Sequence, residues 1–343
     1  MIELKEFTKK FGSVTAVDAV SFQVEPGSIF GLVGSNGAGK STLLRSICGV
    51  YAPDGGQVLL DGEAPYENPA VKGKVFFVSD YPYFMNQFAL KDMADFFRRI
   101  YPNWSDEEYA RLQKLFPLDP KIKIHNMSKG MQRQAALTCA LATMPEYLLM
   151  DEVFDGLDPV MRQLLKRVIS ERAAERQMTV VIASHNLREL EDFCDHVGLI
   201  HKGGVVFEQE LDELKLGIHK VQAVYRPALD SEALDELRDT LDIIKLEIQG
   251  SMVRFVARGS QEEIDRVMQH RNTIFYETLP LSLEEVFISE MEAAGYDLDR
   301  ILSSGQCPCP VPADLPLAVE TEPLDLDPLL GADLPLLLRG TPV

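Results

Sequence analysis

The nine residues "GSNGAGKST", at positions 34–42, constrain the fold of this chain more than any other stretch. They match the pattern G-x-x-x-x-G-K-[ST] and lie between an apolar run of strand length, "SIFGLVG", and a helical pattern, "KSTLLRSICGV". In that context the glycines let several main-chain N–H groups converge on a phosphate, and the helix N-terminus adds a favourable dipole. The motif therefore predicts a phosphate-binding loop in an α/β nucleotide-binding fold. The alternative, a chance glycine-rich turn, is disfavoured because both flanking patterns are right.

Within this loop, two side chains are expected to act directly on the ligand. Lys40 would reach the β- and γ-phosphates of the nucleotide, and the Ser41 hydroxyl would ligate Mg²⁺. The remaining loop residues are predicted to contribute to nucleotide binding: Gly34, Ser35, Asn36, Gly37, Ala38, Gly39 and Thr42.

Short β-rich runs alternate with helical patterns through about the first 220 residues, which favours an α/β sheet. Apolar runs of strand length lie at 74–79, 147–151 and 179–185, with helical stretches at 92–101 and 160–176. We therefore predict a sheet whose strands are buried between helices.

Two of these runs end in residues suited to phosphoryl chemistry. "YLLMDE" would deliver Asp151 to the carboxyl edge of the sheet, where it can hold the hydration shell of Mg²⁺. Glu152 follows at once and can orient or deprotonate an attacking water. "TVVIASH" ends in His185, which in the same crevice can sense the γ-phosphate. The alternative is that these are ordinary polar residues after buried strands. It is disfavoured because the same sequence also contains the phosphate loop.

Beyond Lys220 the pattern changes to strand, helix, two strands around Gly250, helix and strand. That βαββαβ order is typical of a ferredoxin-like module, so we predict a small α+β domain over 219–296. Residues 297–343 are predicted to be a disordered acidic tail rich in proline and leucine, because the segment from Ser303 onward holds 8 of the 20 prolines.

The net charge of the chain indicates which kinds of macromolecule it can bind. The formal net charge is −19, from 34 basic and 53 acidic residues, and a field of that sign repels nucleic-acid phosphates. No nucleic-acid partner is therefore expected. No stretch approaches the roughly 20 apolar residues of a membrane span, and the charged start "MIELKEFTKKFG" does not look like a secretory signal. The expected location is the cytoplasm.

Several motifs together resemble the ATP-binding subunit of an ABC transporter over about Met1 to Leu216. In chain order they are the phosphate loop, "MSKGM", "YLLMDE", "GLD" and "ASH". The resemblance implies a P-loop NTPase (ABC ATPase) core at 1–218, with a helical subdomain at about 85–145. It also implies that Phe11 in "KKFG" stacks on adenine and that Asp158 in "GLDP" is the acid of the D-loop.

The resemblance gives "MSKGM" a function in a dimer. In this family two ATPase subunits clamp head to tail, so Ser128 and Gly130 would meet the γ-phosphate bound by the partner. Lys129 and Met131 replace the usual glycine and glutamine of this signature. A further departure is Asp80, which stands where the family usually has a glutamine that touches Mg²⁺ and the membrane subunit. A carboxylate can still bind a water of Mg²⁺.

The resemblance implies an ATP-hydrolysing subunit that uses ATP and Mg²⁺ and powers a separate integral-membrane permease. A second ATPase subunit, identical or different, would complete the dimer, which would lie on the inner face of the cell membrane. The small domain and "SLEEVF" resemble exporter-type subunits, so export is expected. Two alternatives stay open: a non-transport ABC ATPase acting on DNA or ribosomes, and a regulatory module that binds ATP without useful turnover.

Overall fold

The computed structural model describes residues 1–293 apart from 86, 270, 272 and 280. The predicted acidic tail, 297–343, and the last residues of the predicted small domain lie outside the described residues. The strands are β1 (Ile2–Phe11), β2 (Val14–Val24), β3 (Ile29–Val33), β4 (Gly55–Leu60), β5 (Val75–Val78), β6 (Tyr147–Asp151), β7 (Thr179–Ser184), β8 (His196–His201), β9 (Gly204–Glu210), β10 (Ile218–Tyr225), β11 (Asp242–Gln249), β12 (Met252–Arg258) and β13 (Thr273–Leu279). The helices are α1 (Lys40–Ile47), α2 (Pro69–Lys72), α3 (Leu90–Ile100), α4 (Asp106–Leu115), α5 (Lys129–Ala142), α6 (Pro159–Arg176), α7 (Leu187–Glu191), α8 (Leu211–Gly217), α9 (Ser231–Thr240), α10 (Gln261–Gln269) and α11 (Leu283–Ala293).

The central sheet has the strand order β5-β6-β7-β3-β8-β9 and is parallel except for β9. Every residue of β3, β6 and β7 is buried. Leu149 packs in a cluster with Leu44 of α1, whereas its neighbour Leu148 packs with Leu141 of α5 and Leu165 of α6. Because both faces of a parallel sheet are covered, its strands are apolar throughout, and this explains the continuous runs in the sequence.

The strand order determines where the predicted motifs meet. Strands β3, β7, β6 and β5 are successive neighbours and run in the same direction. Their carboxyl ends therefore lie along one edge, which is where open α/β sheets bind ligands. The phosphate loop follows β3, Asp151 ends β6, and His185 follows β7.

Two further substructures border this edge. The antiparallel sheet β2-β1-β4 shares a core with α1, in which Phe7 and Phe22 contact the cluster of Leu43. Helices α3 and α5 enclose a separate core that includes Leu90 and Cys139. These helices fall in the interval where the helical subdomain was predicted.

The segment after β9 contains a second sheet, of order β11-β12-β10-β13, with all pairs antiparallel. With α9 and α10 it has the predicted βαββαβ order and its own core around Tyr225 and Phe255. Helix α11 returns to the central sheet, where Leu283 and Val286 join the cluster of Leu190. The boundary at 218/219 stays a prediction. None of the helices in the described part of the chain combines the length and apolarity needed to span a bilayer.

Candidate functional site

The phosphate loop requires glycine at two positions. Gly39 has a φ of 108°, and a Cβ atom there would lie 2.5 Å from the carbonyl oxygen of Ala16 on β2. A Cβ on Gly34 would lie 2.5 Å from the carbonyl oxygen of Ile200 on β8. A side chain at either position would therefore displace backbone of a neighbouring strand. The loop is packed closely between β2 and β8, and it opens α1 at Lys40.

Lys40 lies at the centre of the site and is only 6% exposed. Its Nζ donates hydrogen bonds to the carbonyl oxygens of Gly34, at 2.7 Å, and Ser35, at 3.3 Å. The same atom is 3.8 Å from Oε1 of Glu152. Burial lowers the pKa of Lys40, while the charges of Glu152 and Asp151 oppose that fall. The carbonyl groups of the phosphate loop therefore hold the Lys40 ammonium within the loop that is predicted to bind a phosphate.

Asp151 is 3% exposed, and its Oδ1 has no hydrogen-bond partner among the described residues. Burial raises the pKa of this carboxyl, and a hydrogen bond from Ser41 partly opposes the rise. A buried carboxylate oxygen without a partner is costly unless it binds a cation. Ser41 and Asp151 together present the hard oxygen ligands that Mg²⁺ prefers, so these residues fit that ion.

Glu152 has a left-handed backbone, with φ of 49°, at the point where the chain leaves β6. Its Oε2 accepts hydrogen bonds from the main-chain N–H of His185, at 3.3 Å, and from Nδ1 of that residue, at 2.9 Å. The hydrogen bond to Glu152 is the main reason that the pKa of His185 is raised. Asp155 lies close by, since one side-chain ligand atom from each of Glu152, Asp155 and His185 falls within 4.8 Å of the others.

Arg133 is a site residue that the sequence reasoning missed. Its Nη2 donates to Oδ1 of Asp80, at 2.8 Å, and to the carbonyl oxygen of Asp80, at 3.2 Å. Its Nη1 donates to the carbonyl oxygen of Glu152. The available signal was an acid at position 80 together with a base at position 133, six residues after the start of the segment "MSKGM". Asp80, predicted near Mg²⁺, is therefore engaged by an arginine in this structure.

The signature segment, "MSKGM", begins α5. Ser128 is the N-cap, and its Oγ accepts a hydrogen bond from the main-chain N–H of Met131 at 3.2 Å. A Cβ on Gly130 would lie 3.2 Å from the carbonyl oxygen of Gly156. Asp158, two residues after Gly156, is the N-cap of α6, and its side chain accepts hydrogen bonds from the main-chain N–H groups of Val160 and Met161. The starts of α5 and α6 are therefore close neighbours.

Phe11 lies at the end of β1 and pairs with β2, the strand against which the phosphate loop packs. Its ring makes an edge contact with Tyr51, with centroids 5.2 Å apart, and Nζ of Lys9 lies 5.5 Å from its centroid. Tyr51 was not predicted as part of this surface. The structure thus joins Lys40, Glu152 and His185 directly and Asp80 through Arg133, whereas Phe11, Ser128 and Asp158 belong to separate contact networks.

Comparison with known proteins identifies similar chains. A family model described as ABC transporter matches residues 17–155. The ABC transporter ATP-binding protein YtrB of Bacillus subtilis (strain 168) is 31% identical over 291 residues, which are 84% of this chain and 98% of that protein. Nod factor export ATP-binding protein I of Paraburkholderia xenovorans (strain LB400) is 31% identical over 301 residues, 84% of this chain and 95% of that protein. The solved structure of an ATP-binding subunit of an ABC transporter is 26% identical, with a TM-score of 0.59, over 63% of this chain and 92% of that chain. The predicted P-loop NTPase fold is confirmed.

Proposed function

The chain belongs to the family of ABC transporter ATP-binding subunits, and from that premise we propose that it hydrolyses Mg²⁺–ATP to drive export through a separate permease. The observation that carries the proposal is the contact of Glu152 with both Lys40 and His185 at the carboxyl edge of the sheet. A phosphate-binding cation, a candidate base and a histidine that holds this base are there within hydrogen-bonding or ion-pair distance. This arrangement suits the attack of water on a terminal phosphate.

Each residue has a distinct part in the proposed reaction. Lys40 turns from the loop carbonyls to the β- and γ-phosphates, and Glu152 orients the attacking water and accepts its proton. His185 fixes the carboxylate of Glu152 and presents its other ring nitrogen to the γ-phosphate. Ser41 and Asp151 would hold Mg²⁺, with Asp80 acting through a water. When bound, the ion neutralises the charge on the β- and γ-phosphate oxygens.

A second ATPase subunit, identical or different, would complete each site. Ser128 and Asp158 are exposed at the adjoining starts of α5 and α6, and Val160 beside them is 75% exposed. We assign this surface to the partner subunit, whose bound nucleotide would meet the N-terminus of α5. Phe11 would stack on the adenine of the nucleotide held by its own loop.

The proposed permease surface begins directly after Asp80. Tyr81 and Tyr83 are 79% and 82% exposed, and a groove of 430 Å³ runs between the end of β5 and α3. Phe84 and Phe97 contribute to its lining. A groove with exposed aromatic residues at its rim supports the docking of a helix from a membrane subunit. Association with the membrane would follow from this contact, and the name of the Nod factor export relative supports export as the direction.

Affinity purification of the full-length tagged chain from detergent-solubilised native membranes tests this proposal. We expect a polytopic membrane protein to copurify in stoichiometric amount with the wild-type chain and to be lost with the double variant Y81A/Y83A. Y66A is the matched control, because Tyr66 is an exposed tyrosine outside the groove. Recovery of the wild-type chain with ribosomal or DNA-bound proteins alone would contradict the transport proposal.

A further inference from the structure

Arg133 connects two segments that lie far apart in the sequence. Its side chain is 12% exposed, and its guanidinium bonds to the carboxylate and carbonyl of Asp80 and to the carbonyl of Glu152. We propose that Arg133 is a positioning residue for ATP hydrolysis, which binds Asp80 and the backbone of Glu152 into one unit. The proposal rests on the catalytic role assigned above to Glu152.

The first argument concerns the backbone of Glu152. A φ of 49° is unfavourable for a residue with a Cβ atom, so neighbouring groups must hold it in place. Its N–H donates to the carbonyl oxygen of Ala183 on β7, at 2.9 Å, and its carbonyl accepts from Arg133. Both main-chain polar groups are thus fixed, and Arg133 supplies one of the two hydrogen bonds that hold the backbone of Glu152.

The second argument concerns charge. Asp80 adds a carboxylate to an edge that already holds Asp151 and Glu152 and must accept a polyanionic nucleotide. A lone charge there would repel the phosphates and the neighbouring acids. Nη2 of Arg133, 2.8 Å from Oδ1 of Asp80, neutralises that charge. A planar guanidinium can do this while also reaching the carbonyl of Glu152, which a compact ammonium cannot.

The third argument concerns location. Arg133 lies five residues after Ser128, in the second turn of α5. The helix whose N-terminus is proposed to meet the nucleotide of the partner therefore also contacts the candidate base of its own subunit. A shift of α5 on dimer closure would be felt directly at Glu152.

The test uses a cycle of full-length variants, D80Q, R133Q and D80Q/R133Q, with steady-state ATPase kinetics. For R133Q we expect kcat to fall about 10- to 100-fold, as loss of a charge-assisted hydrogen bond predicts. KM for ATP should stay within about threefold, because the phosphate loop is untouched. The double variant should be about tenfold faster than R133Q, since it no longer leaves Asp80 unpaired. R167Q is the control, because Arg167 is 79% exposed and pairs only with a neighbour on its own helix among the described residues.

Thermal unfolding of the same variants gives a readout that does not depend on turnover. R133Q should melt about 3–6 °C below wild type. The loss of melting temperature in the double variant should be smaller than the sum of the losses in the two single variants. Turnover of R133Q within about twofold of wild type, a double variant no faster than R133Q, or an equal loss in R167Q would overturn the inference. A wild-type chain without turnover would contradict the proposed function. The melting temperatures of the three variants would then be the only test of the Asp80–Arg133 pair. Shifts of the two single variants that simply add up in the double variant would overturn the pair.

Discussion

Glu152 and His185 are joined through a single carboxylate oxygen, which accepts the main-chain N–H at 3.3 Å and Nδ1 at 2.9 Å. A carboxylate only accepts, so Nδ1 carries a proton in this contact. The other carboxylate oxygen lies 3.8 Å from Nζ of Lys40. The acid is therefore oriented from both sides, and protonation of the ring would leave Nε2 as a donor for phosphate.

The variant E152Q tests whether this acid activates the water. Glutamine keeps the shape of the side chain but cannot take a proton, so we expect kcat to fall at least about 100-fold. ATP affinity, measured with a fluorescent analogue, should change by less than about threefold, because Lys40 and the loop remain. In the presence of ATP the variant should accumulate as a dimer in light scattering. E171Q, at an exposed glutamate on α6, is the control. Turnover near the wild-type rate would remove Glu152 from its assigned role.

His185 should give the stability of the protein a pH dependence of known sign. Its pKa is raised above the usual 6.5, mainly by the hydrogen bond to Glu152. The stabilisation is thus fully present below about pH 6.5 and is lost as pH rises through the raised pKa. Because the side chain of His185 is 51% exposed, we expect its contact with Glu152 to contribute less than about 1 kcal/mol to the free energy of unfolding. Denaturant titrations should show that wild type and H185N differ more at pH 6 than at pH 9. An equal difference at both values would contradict the assignment.

The sequence predicted the parts of the site that depend on local pattern. The glycine-rich loop after β3 and the acids at the end of β6 lie at the same edge of one sheet, because the parallel strands β3, β7 and β6 share one direction. The order of the motifs also predicted the ABC ATPase family, which is confirmed. Arg133 could not be found in this way, because its partners lie 53 and 19 residues away and meet only when α5 packs against the sheet. The left-handed backbone of Glu152 likewise depends on tertiary hydrogen bonds.

Gly130 should be required for the signature segment to approach its neighbours. A Cβ there would lie 3.2 Å from the carbonyl oxygen of Gly156, which is tighter than an ordinary van der Waals contact. In G130A we expect the start of α5 to shift from the start of α6, and turnover to fall about tenfold or more. G217A is the control, since nothing lies within 4 Å of a Cβ at Gly217 and alanine favours a helix. Phosphate release by the two variants gives the comparison, and equal rates would show that the close approach is unimportant.

Glu108 joins the helical segment to the core and should control stability in acid. This residue of α4 is 6% exposed, and its oxygens accept hydrogen bonds from Arg111 at 3.0 and 2.9 Å and from Arg172 of α6 at 3.1 and 2.7 Å. Burial acts to raise the pKa of Glu108, but the hydrogen bonds from both arginines outweigh it and hold the pKa below 4.5.

A lowered pKa stabilises the fold above the ordinary value of 4.5, and that stabilisation is lost as pH falls through the lowered pKa. In E108A two arginines lose their shared partner, so we expect about 3 kcal/mol less unfolding free energy at pH 7 in urea titrations. The gap to wild type should narrow below pH 4.5 as the wild-type carboxyl becomes protonated. E171A, which removes an exposed carboxylate from a pair on α6, should cost less than about 1 kcal/mol. A loss in E108A no larger than in E171A would show that the two helices are held together by their apolar contacts alone.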